Sequence, residues 1–441
     1  MRITMTSPNL ARRQRFNRRW RPESHLANLL GRDLAAACVL GLLPETNGIG
    51  NARPRCGPDL TAARSSEAHW LSAADGRVHR LPADGWRTAA GIFGPATNLC
   101  LQSENLNTAP WAVGQVNPPQ LDTGTPGPLG AVFKVTDPGT QAYGGLYQPL
   151  SGLADGQPHA ASIFVKAGTT TGFSVGIYDA TALVWRARAN FNVSGSTVTW
   201  ASTTAGGYRL EQLPQSSWYR ITSTLSSLVA AHTNQLLVYI SPPGVIQAGY
   251  LYLSGGQVQT GKLAQPYITT TNAAASRSAD QLSLSTAGLT AATSLGLVTR
   301  ILDHGGSPYL LYQPGTAGDA NRMDVWVSPG TGLNVAIYDA SAAVRTWTQN
   351  AAPTDFETAH WIVTNDNGGT VCAWKNGASI ALTASGSGSG VRNALAAAMQ
   401  LGRKDLTNGM QGELHACVQF NRALTTAEVG RLYAALQRLE S

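Results

Sequence analysis

The stretch FSVGIYD, residues 173–179, puts Phe173, Val175 and Ile177 on one side of an extended chain and Ser174, Gly176 and Tyr178 on the other. That period of two marks a half-buried β-strand, and β-branched and aromatic residues suit its pleated surface. Working outward, the same texture recurs in AVFKV (131–135), SIFVK (162–166), STVTW (196–200), WYRITSTL (218–225), QLLVYI (235–240) and GYLYLSGGQV (249–258). It resumes beyond residue 290 in GLVTRIL, MDVWV, NVAIYD, HWIVTN, TVCAWKNG and GELHACVQF. Gly, Pro and Asn break the runs at intervals of about 8–15 residues, as in sandwiches and barrels. Strands do not alternate with helical patterns, which argues against a parallel sheet. The expected fold class is therefore mainly β: two antiparallel β-sandwich, jelly-roll domains in tandem, preceded by a basic N-terminal arm with a short helix.

Composition agrees. Charged residues are 13 % of the 441, against about 25 % in ordinary globular domains. Gly, Ser, Thr, Ala and Asn take their place, as expected of short strands and tight turns. With 43 % hydrophobic residues and 11 Trp, a disordered chain is excluded. The formal charge of +7 is concentrated: residues 1–33 hold eight Arg against Glu23 and Asp33, leaving the body nearly neutral. A uniformly basic nucleic-acid surface is not supported. The five Cys are scattered and in no metal-ligand spacing, so they read as buried or incidental thiols. The longest apolar run, LAAACVLGLL (34–43), is half the roughly 20 residues a bilayer span needs. It lies too far from the start, behind too many arginines, to read as an export signal.

Along the chain, residues 1–50 read as basic arm and helix and 51–97 as a connector with short strands. Residues 98–272 form the first sandwich, 273–289 a linker and 290–441 the second sandwich. In the arm, Pro22 and Ser24 mark a helix start, and Leu26, Leu29, Leu30, Leu34, Ala37 and Cys38 follow at helical spacing until Pro44. A second helix is expected at the C-terminus with Thr426 near its cap. One echo links the two sandwiches: VGIYDATALVWRA (175–187) against VAIYDASAAVRTW (335–347). It fits either a recurrent strand–turn–strand solution or a pair of related domains.

Two stretches resemble known families. Residues 58–111 carry Arg64-Ser65-Ser66, Asp75-Gly76, Arg87, Gly91 to Gly94, Thr97-Asn98-Leu99, Ser103 and Ala109-Pro110-Trp111. With SWYRI (217–221) and GGQVQTGKLAQPYITTT (255–271), they are similar to a module of phage and prophage structural proteins. Thr260 and Thr269 depart from that pattern, where an acid and a Pro are usual. The resemblance implies a jelly roll like a carbohydrate-binding module, as found in tail fibres, head fibres and other virion appendages. Residues 290–436, with HWIVTNDNGGTVCAWKNGASIAL and NRALTTAEVGRLYAAL, resemble the laminin-G/concanavalin-like sandwich, where Trp374-Lys375-Asn376-Gly377 forms a hairpin turn.

No nucleophile elbow, P-loop, dinucleotide fingerprint or zinc motif is present. The acids are scattered, without the alternating pair a jelly-roll glycosidase needs. Trp185, Trp326, Trp347 and Trp374 read as core residues or as sugar-stacking platforms. Trp185 and Trp347, which follow the echoed YDA turns, are the glycan-binding candidates. The laminin-G resemblance admits calcium at Asp303, beside His304, but the sequence offers no full ligand set. Arg12, Arg13, Arg15, Arg18, Arg19 and Arg21, with Leu26, Leu29, Leu30 and Leu34, are the candidate docking residues. Such an arm suits phosphates, an acidic membrane or an acidic protein surface.

The resemblance favours the last: docking onto capsid or tail proteins. It implies a non-enzymatic, homo-oligomeric virion component that displays its sandwiches to host glycan, with no specific nucleic acid and no membrane span. The alternative is a bacterial surface or secreted carbohydrate-binding protein. A glycan-degrading enzyme is disfavoured.

Overall fold

The computed structural model describes residues 38–42, 54–56, 60–63, 68–71, 78–81, 90–213, 216–286, 288–303, 307–402, 404 and 409–438. They fall into two compact units. One comprises Arg64–Gly85 and Pro95–Ala279, the other Met1–Ala63, Trp86–Gly94 and Asp280–Ser441. Both are built of antiparallel sheets, so the expected mainly β class holds.

In the first unit, Phe133–Pro138 pairs with Ala248–Thr260, Gly145–Pro149 with Asn234–Tyr239, and His159–Lys166 with Trp218–Leu225. Successive strands enter opposite sheets, the winding of a jelly roll. The back sheet runs Gly207–Gln212, Trp218–Leu225, His159–Lys166, Ala248–Thr260, Phe133–Pro138, Gln120–Leu121. The face sheet runs Thr197–Ala205, Val184–Ser194, Gly172–Asp179, Asn234–Tyr239, Gly145–Pro149, Ala112–Gly114. Phe133, Ile163, Phe173, Val175, Ile177, Phe191, Val238 and Leu251 fill the space between them and are fully buried. Each such side chain contributes about 2–3 kcal/mol by leaving water.

The motif residues hold this module together. Asn98 is buried and saturates its amide. Its Nδ2 donates to the Gly256 and Ile268 carbonyls at 3.1 and 2.7 Å, and its Oδ1 accepts from Cys100 and Val258 N–H at 3.0 and 3.1 Å. Arg220 Nη2 donates to the Gln265 carbonyl at 2.7 Å and Ser162 Oγ at 3.2 Å. Trp111 lies against Gly256, where an added Cβ would come within 2.7 Å of the indole. These residues explain the fold and not the ligand.

In the second unit, one sheet runs Pro54–Cys56, Cys38–Leu42, Gln411–Phe420, Thr293–Asp303, Thr358–Asn365, Val371–Lys375, Ala378–Ile380, and Ala90–Ile92 also pairs with Gln411–Phe420. The other runs Leu60–Ala63, Gln281–Ser285, Ala398–Leu401, Tyr309–Gln313, Met323–Ser328, Gly332–Tyr338, Val344–Gln349, Leu382–Ser385. Leu297, Met323, Val325, Val335, Trp361 and Leu401 form part of the core between them. Helix Thr426–Gln437 lays Val429, Leu432 and Leu436 on Val298, Ile362 and Val418, on the first sheet's other face.

The cap of that helix is Thr425, and Thr426, expected near the cap, is its first helical residue. Its side chain accepts from Glu428 N–H while the Glu428 carboxylate accepts from the Thr425 N–H, a full capping box. Arg422 binds the same carboxylate through both terminal nitrogens, at 2.8 and 2.5 Å. These bonds, with those from Thr425, hold the Glu428 carboxyl down at about 2. The expected Asn-Gly turn is present: Asn376 and Gly377 have φ of 51° and 81°.

Two sequence expectations change. Cys38, read as the last residue of the arm helix pattern, instead opens strand Cys38–Leu42, with Leu40 opposite Gln419 and Gly41 opposite Val418; the rest of that expected helix lies outside the described residues. A run this short cannot separate helix from strand by periodicity, and the backbone groups along Gln411–Phe420 require partners. Residues 273–289, read as a linker, carry two strands. Ala275–Arg277 pairs with Ala96–Asn98 within the first unit. Gln281–Ser285 pairs with Leu60–Ala63 and Ala398–Leu401 within the second. There, Phe93 and Asp280 are also tied: Phe93 N–H donates to Asp280 Oδ2, and Asp280 N–H to the Phe93 carbonyl, both at 2.9 Å.

Candidate binding face

The outer side of the face sheet is set by register. Val175, Ile177, Ala187, Ala189, Leu236 and Val238 turn into the core. The alternate rows therefore turn out. The first is Gly145, Tyr239, Ser174, Asn190 and Ser202. The second is Tyr147, Leu237, Gly176 and Arg188. The third is Pro149, Gln235, Tyr178 and Trp185.

A bulge between Ile177 and Tyr178 decides the third row. It sets Trp185 opposite Tyr178 and leaves Arg186 as the extra residue, and bulges re-aim side chains in this way. Arg186 turns onto Asp179, with Nε at 3.1 Å and Nη2 at 2.6 Å from Oδ2. His232 Nδ1 is 2.7 Å from the same oxygen, and Thr181 and Ala182 N–H donate to Oδ1. Burial alone would push the Asp179 carboxyl up. The bonds from Ala182, His232 and Arg186 outweigh it and hold the group well below the usual carboxylate range. All its acceptor capacity goes into bracing the turn.

On the outer face the rings gather. Trp185 meets Tyr178 at 5.3 Å and Tyr239 at 5.4 Å between centroids, both edge-to-face, and Tyr143 meets Tyr239 at 5.6 Å. Gly145 makes room: a Cβ there would lie 2.9 Å from the Tyr239 ring. Tyr143 is 52 % exposed and has φ of 67°. That left-handed backbone costs a bulky residue about 1–2 kcal/mol, and such strain gathers at functional sites.

Arg188 lies among the rings, its guanidinium carbon 4.9 Å from the Trp185 ring centre and 5.6 Å from that of Tyr239. Burial lowers its pKa, against the pull of the Tyr239 and Tyr143 hydroxyls. Its Nε donates to Asn190 Oδ1 at 2.9 Å; Asn190 also accepts from Ser174 Oγ and donates to Ser202 Oγ. The result is a half-buried aromatic frame beside a strip of hydroxyl, amide and guanidinium groups. Flat apolar faces with a few fixed polar groups suit a small polar ligand with apolar C–H faces.

Of the glycan candidates, Trp185 falls in this frame and Trp347 does not. The second echoed hairpin has no bulge, so Trp347 stands opposite Val335, a core residue, and is 4 % exposed. Its indole is sealed inside the second sandwich. Trp374 packs against the C-terminal helix, and Trp326 stacks on Tyr309 at 5.8 Å. Sequence reasoning missed Tyr143, Tyr178, Tyr239 and Arg188; the Tyr of the YDA echo was the available signal.

The arm residues Arg12, Arg13, Arg15, Arg18, Arg19, Arg21, Leu26, Leu29, Leu30 and Leu34 lie outside the described residues, as does His304. Among the described residues, no group of three His, Cys, Asp or Glu gathers to hold a metal, and no helix is long and apolar enough to cross a membrane. Cys100 and Cys372 are free thiols, the first buried and the second exposed.

No protein-family model matches the chain, and no curated protein matches it. Among solved structures it is similar to the CBM40 of a Ruminococcus gnavus IT-sialidase bound to α2,3-sialyllactose (10 % identity, 33 % of this chain and 83 % of that one, TM-score 0.27). It is also similar to a heptameric SAP-like pentraxin from Limulus polyphemus (15 %, 32 % and 68 %, 0.27). A third is the receptor-binding domain of a botulinum neurotoxin C/D mosaic serotype (10 %, 35 % and 40 %, 0.28). Likeness at this level does not extend to a shared ligand.

Proposed function

We propose that the chain is a non-enzymatic glycan-binding protein and that the outer face of the first sandwich holds the sugar. The observation that carries this is the frame of Tyr143, Tyr178, Trp185 and Tyr239 around Arg188, bordered by Asn190, Ser174 and Ser202. Aromatic rings cover the apolar side of a pyranose while the polar strip takes its hydroxyls. The test is a printed glycan array read with the intact chain, Trp185→Ala and Tyr239→Ala. Each substitution is expected to weaken the bound glycan by about 30-fold or more, the loss typical of a buried aromatic anchor. Binding by the intact chain to no glycan, or equal binding by all three, overturns the reading.

The setting we propose is a phage particle, with the sandwiches displayed from a peripheral fibre, spike or decoration component. Two features support it: the resemblance of residues 58–111, 217–221 and 255–271 to virion modules, and the gathering of eight Arg in residues 1–33. An arm of that charge suits an acidic protein surface, where guanidinium groups pair carboxylates two at a time. A bacterial surface or secreted carbohydrate-binding protein would use the same face. Deleting residues 1–36, which stops short of strand Cys38–Leu42, separates the two. It is expected to abolish incorporation into particles while leaving glycan binding intact. Normal incorporation ends the docking proposal.

A further inference from the structure

Among the described residues, Arg188 has no carboxylate partner. Its Nε is used by a neutral amide, Asn190, and its neighbours are the rings of Trp185 and Tyr239. No ion pair joins it to a described Asp or Glu, and its two terminal nitrogens are not sealed off from solvent without a bond. The nearest carboxylate on its strand's turn, Asp179, is wholly taken by Arg186, His232 and the backbone. A half-buried guanidinium is ordinarily paired, because a charge held away from water needs an opposite charge or full hydrogen bonding. Here the strand supplies neither, and the guanidinium carbon lies over the Trp185 and Tyr239 rings.

The second sandwich shows what the internally paired version looks like. Arg322 also lies over rings, 4.4 Å from the centre of Tyr338 and 5.6 Å from that of Tyr312. Its neighbour two residues on is Asp324, which takes Nε at 3.0 Å and Nη2 as well, and Asp319 takes Nη1. In the first sandwich the residue two positions on is Asn190. The amide keeps the geometry and removes the charge.

We infer that Arg188 binds a carboxylate carried by the ligand, so that the glycan taken by this face is acidic: a sugar bearing a carboxyl group, such as a uronic acid. The inference rests on the glycan-binding reading above. A carboxylate presents two oxygens in the plane and spacing of a guanidinium fork, and Trp185 and Tyr239 keep competing water from the pair. Its ring then lies on the aromatic frame and its hydroxyls reach Asn190 and Ser202.

The experiment uses the full chain on an array of neutral, carboxylated and sulfated glycans, followed by titration of the strongest binder and of the same glycan after carboxyl reduction to the alcohol. Carboxylated glycans are expected to dominate. Reduction should lower affinity by about tenfold or more, the worth of a charge-assisted fork, and raising salt should weaken the acid form alone. Asn190→Asp, which is nearly isosteric, should give Arg188 an internal partner and lower affinity to the level of the reduced glycan. Arg188→Met should do the same, and Arg188→Lys should restore only part. Neutral glycans bound as well as acidic ones, or affinity unchanged by carboxyl reduction, overturns the inference while leaving glycan binding in place. Sulfated glycans preferred over carboxylated ones overturn the assignment to a carboxylate. No glycan bound by the intact chain removes the parent reading itself. Because carboxyl reduction alters only the ligand, the outcome stands even if a variant fails to fold.

Discussion

Arg188 in the first sandwich and Arg322 in the second sit in similar surroundings and reach opposite ends. Both lie on outward rows over tyrosine or tryptophan rings, near the echoed YDA turns. Arg322 is closed by Asp324 and Asp319, and the pair is nearly buried, at 9 % and 2 % side-chain exposure for Arg322 and Asp324. Burial alone would lower the Arg322 pKa; the bonds and charge of Asp324 and then Asp319 hold it above its usual value. The second face therefore carries its own counter-charge, and Lys404 further occupies the space near Tyr309 and Tyr312. The first face has its cation open. One side chain, Asn190 against Asp324, separates a cation without a described counter-charge from one that its own strand closes.

That contrast can be broken in several places. The largest expected effect is on stability, at the two tryptophans of the echo. Trp347→Ala removes a core indole from the second sandwich and should cost about 3–5 kcal/mol, measured by chemical denaturation. Trp185→Ala, on the outer face, should cost no more than about 1 kcal/mol while weakening the proposed glycan binding by about 30-fold or more. Similar losses at both sites would mean that the bulge at Tyr178 does not separate their roles. Next comes Asp324→Asn, which leaves Arg322 with Asp319 alone and should destabilise the second sandwich by about 2 kcal/mol. Arg188→Met, which leaves no charge stranded, should shift stability by less than about 1 kcal/mol. A reversed order would sink the open-and-closed distinction.

The smallest effect concerns acid. Glu428 is held at about 2, below its ordinary 4.5, by Arg422 and the cap. A depressed carboxylate stabilises the fold above its unfolded value and loses that contribution as pH falls, here from about 4.5 to about 2. Thr425→Ala or Glu428→Gln should each cost about 1 kcal/mol at neutral pH, the usual worth of a cap. Glu428→Gln should also flatten the acid limb of the melting curve of the second sandwich; an unchanged limb would show that the capping carboxylate is not what titrates there.

Much of the fold was readable because burial in a sandwich writes itself as alternation. WYRITSTL coincides with strand Trp218–Leu225, and FSVGIYD lies within Gly172–Asp179. The Asn376-Gly377 turn was legible because few residue pairs accept two positive φ angles in succession. The strand Cys38–Leu42 was not, since what makes it a strand is a partner near the other end of the sequence. The binding face was half legible. Trp185 stood out by composition, but spacing alone set Trp347 beside it. Only the pairing register, shifted by one residue at Tyr178 in one hairpin and unshifted in the other, turns one indole out and the other in. Arg188 was invisible because its significance is the lack of a nearby acid in space.

The tie between Phe93 and Asp280 has a consequence for how the molecule is put together over time. The chain leaves the second sandwich at Gly94 and returns to it at Asp280, and these points are hydrogen-bonded neighbours. Within the first unit, the adjoining segments Ala96–Asn98 and Ala275–Arg277 run side by side. Residues 95–279, which with residues 64–85 make up the first unit, are thus a segment whose two ends emerge together, the arrangement that tolerates domain insertion best. During synthesis that segment can close as soon as its own last strand appears. The host sandwich must wait: Leu42 can meet Pro54 early, but its partner on the other side, Cys417, is made only near the end of synthesis, and pairings so distant in sequence form slowly. The main segment of the first sandwich can therefore be exchanged at one pair of adjacent joints, while residues 64–85 of the same unit stay with the host chain.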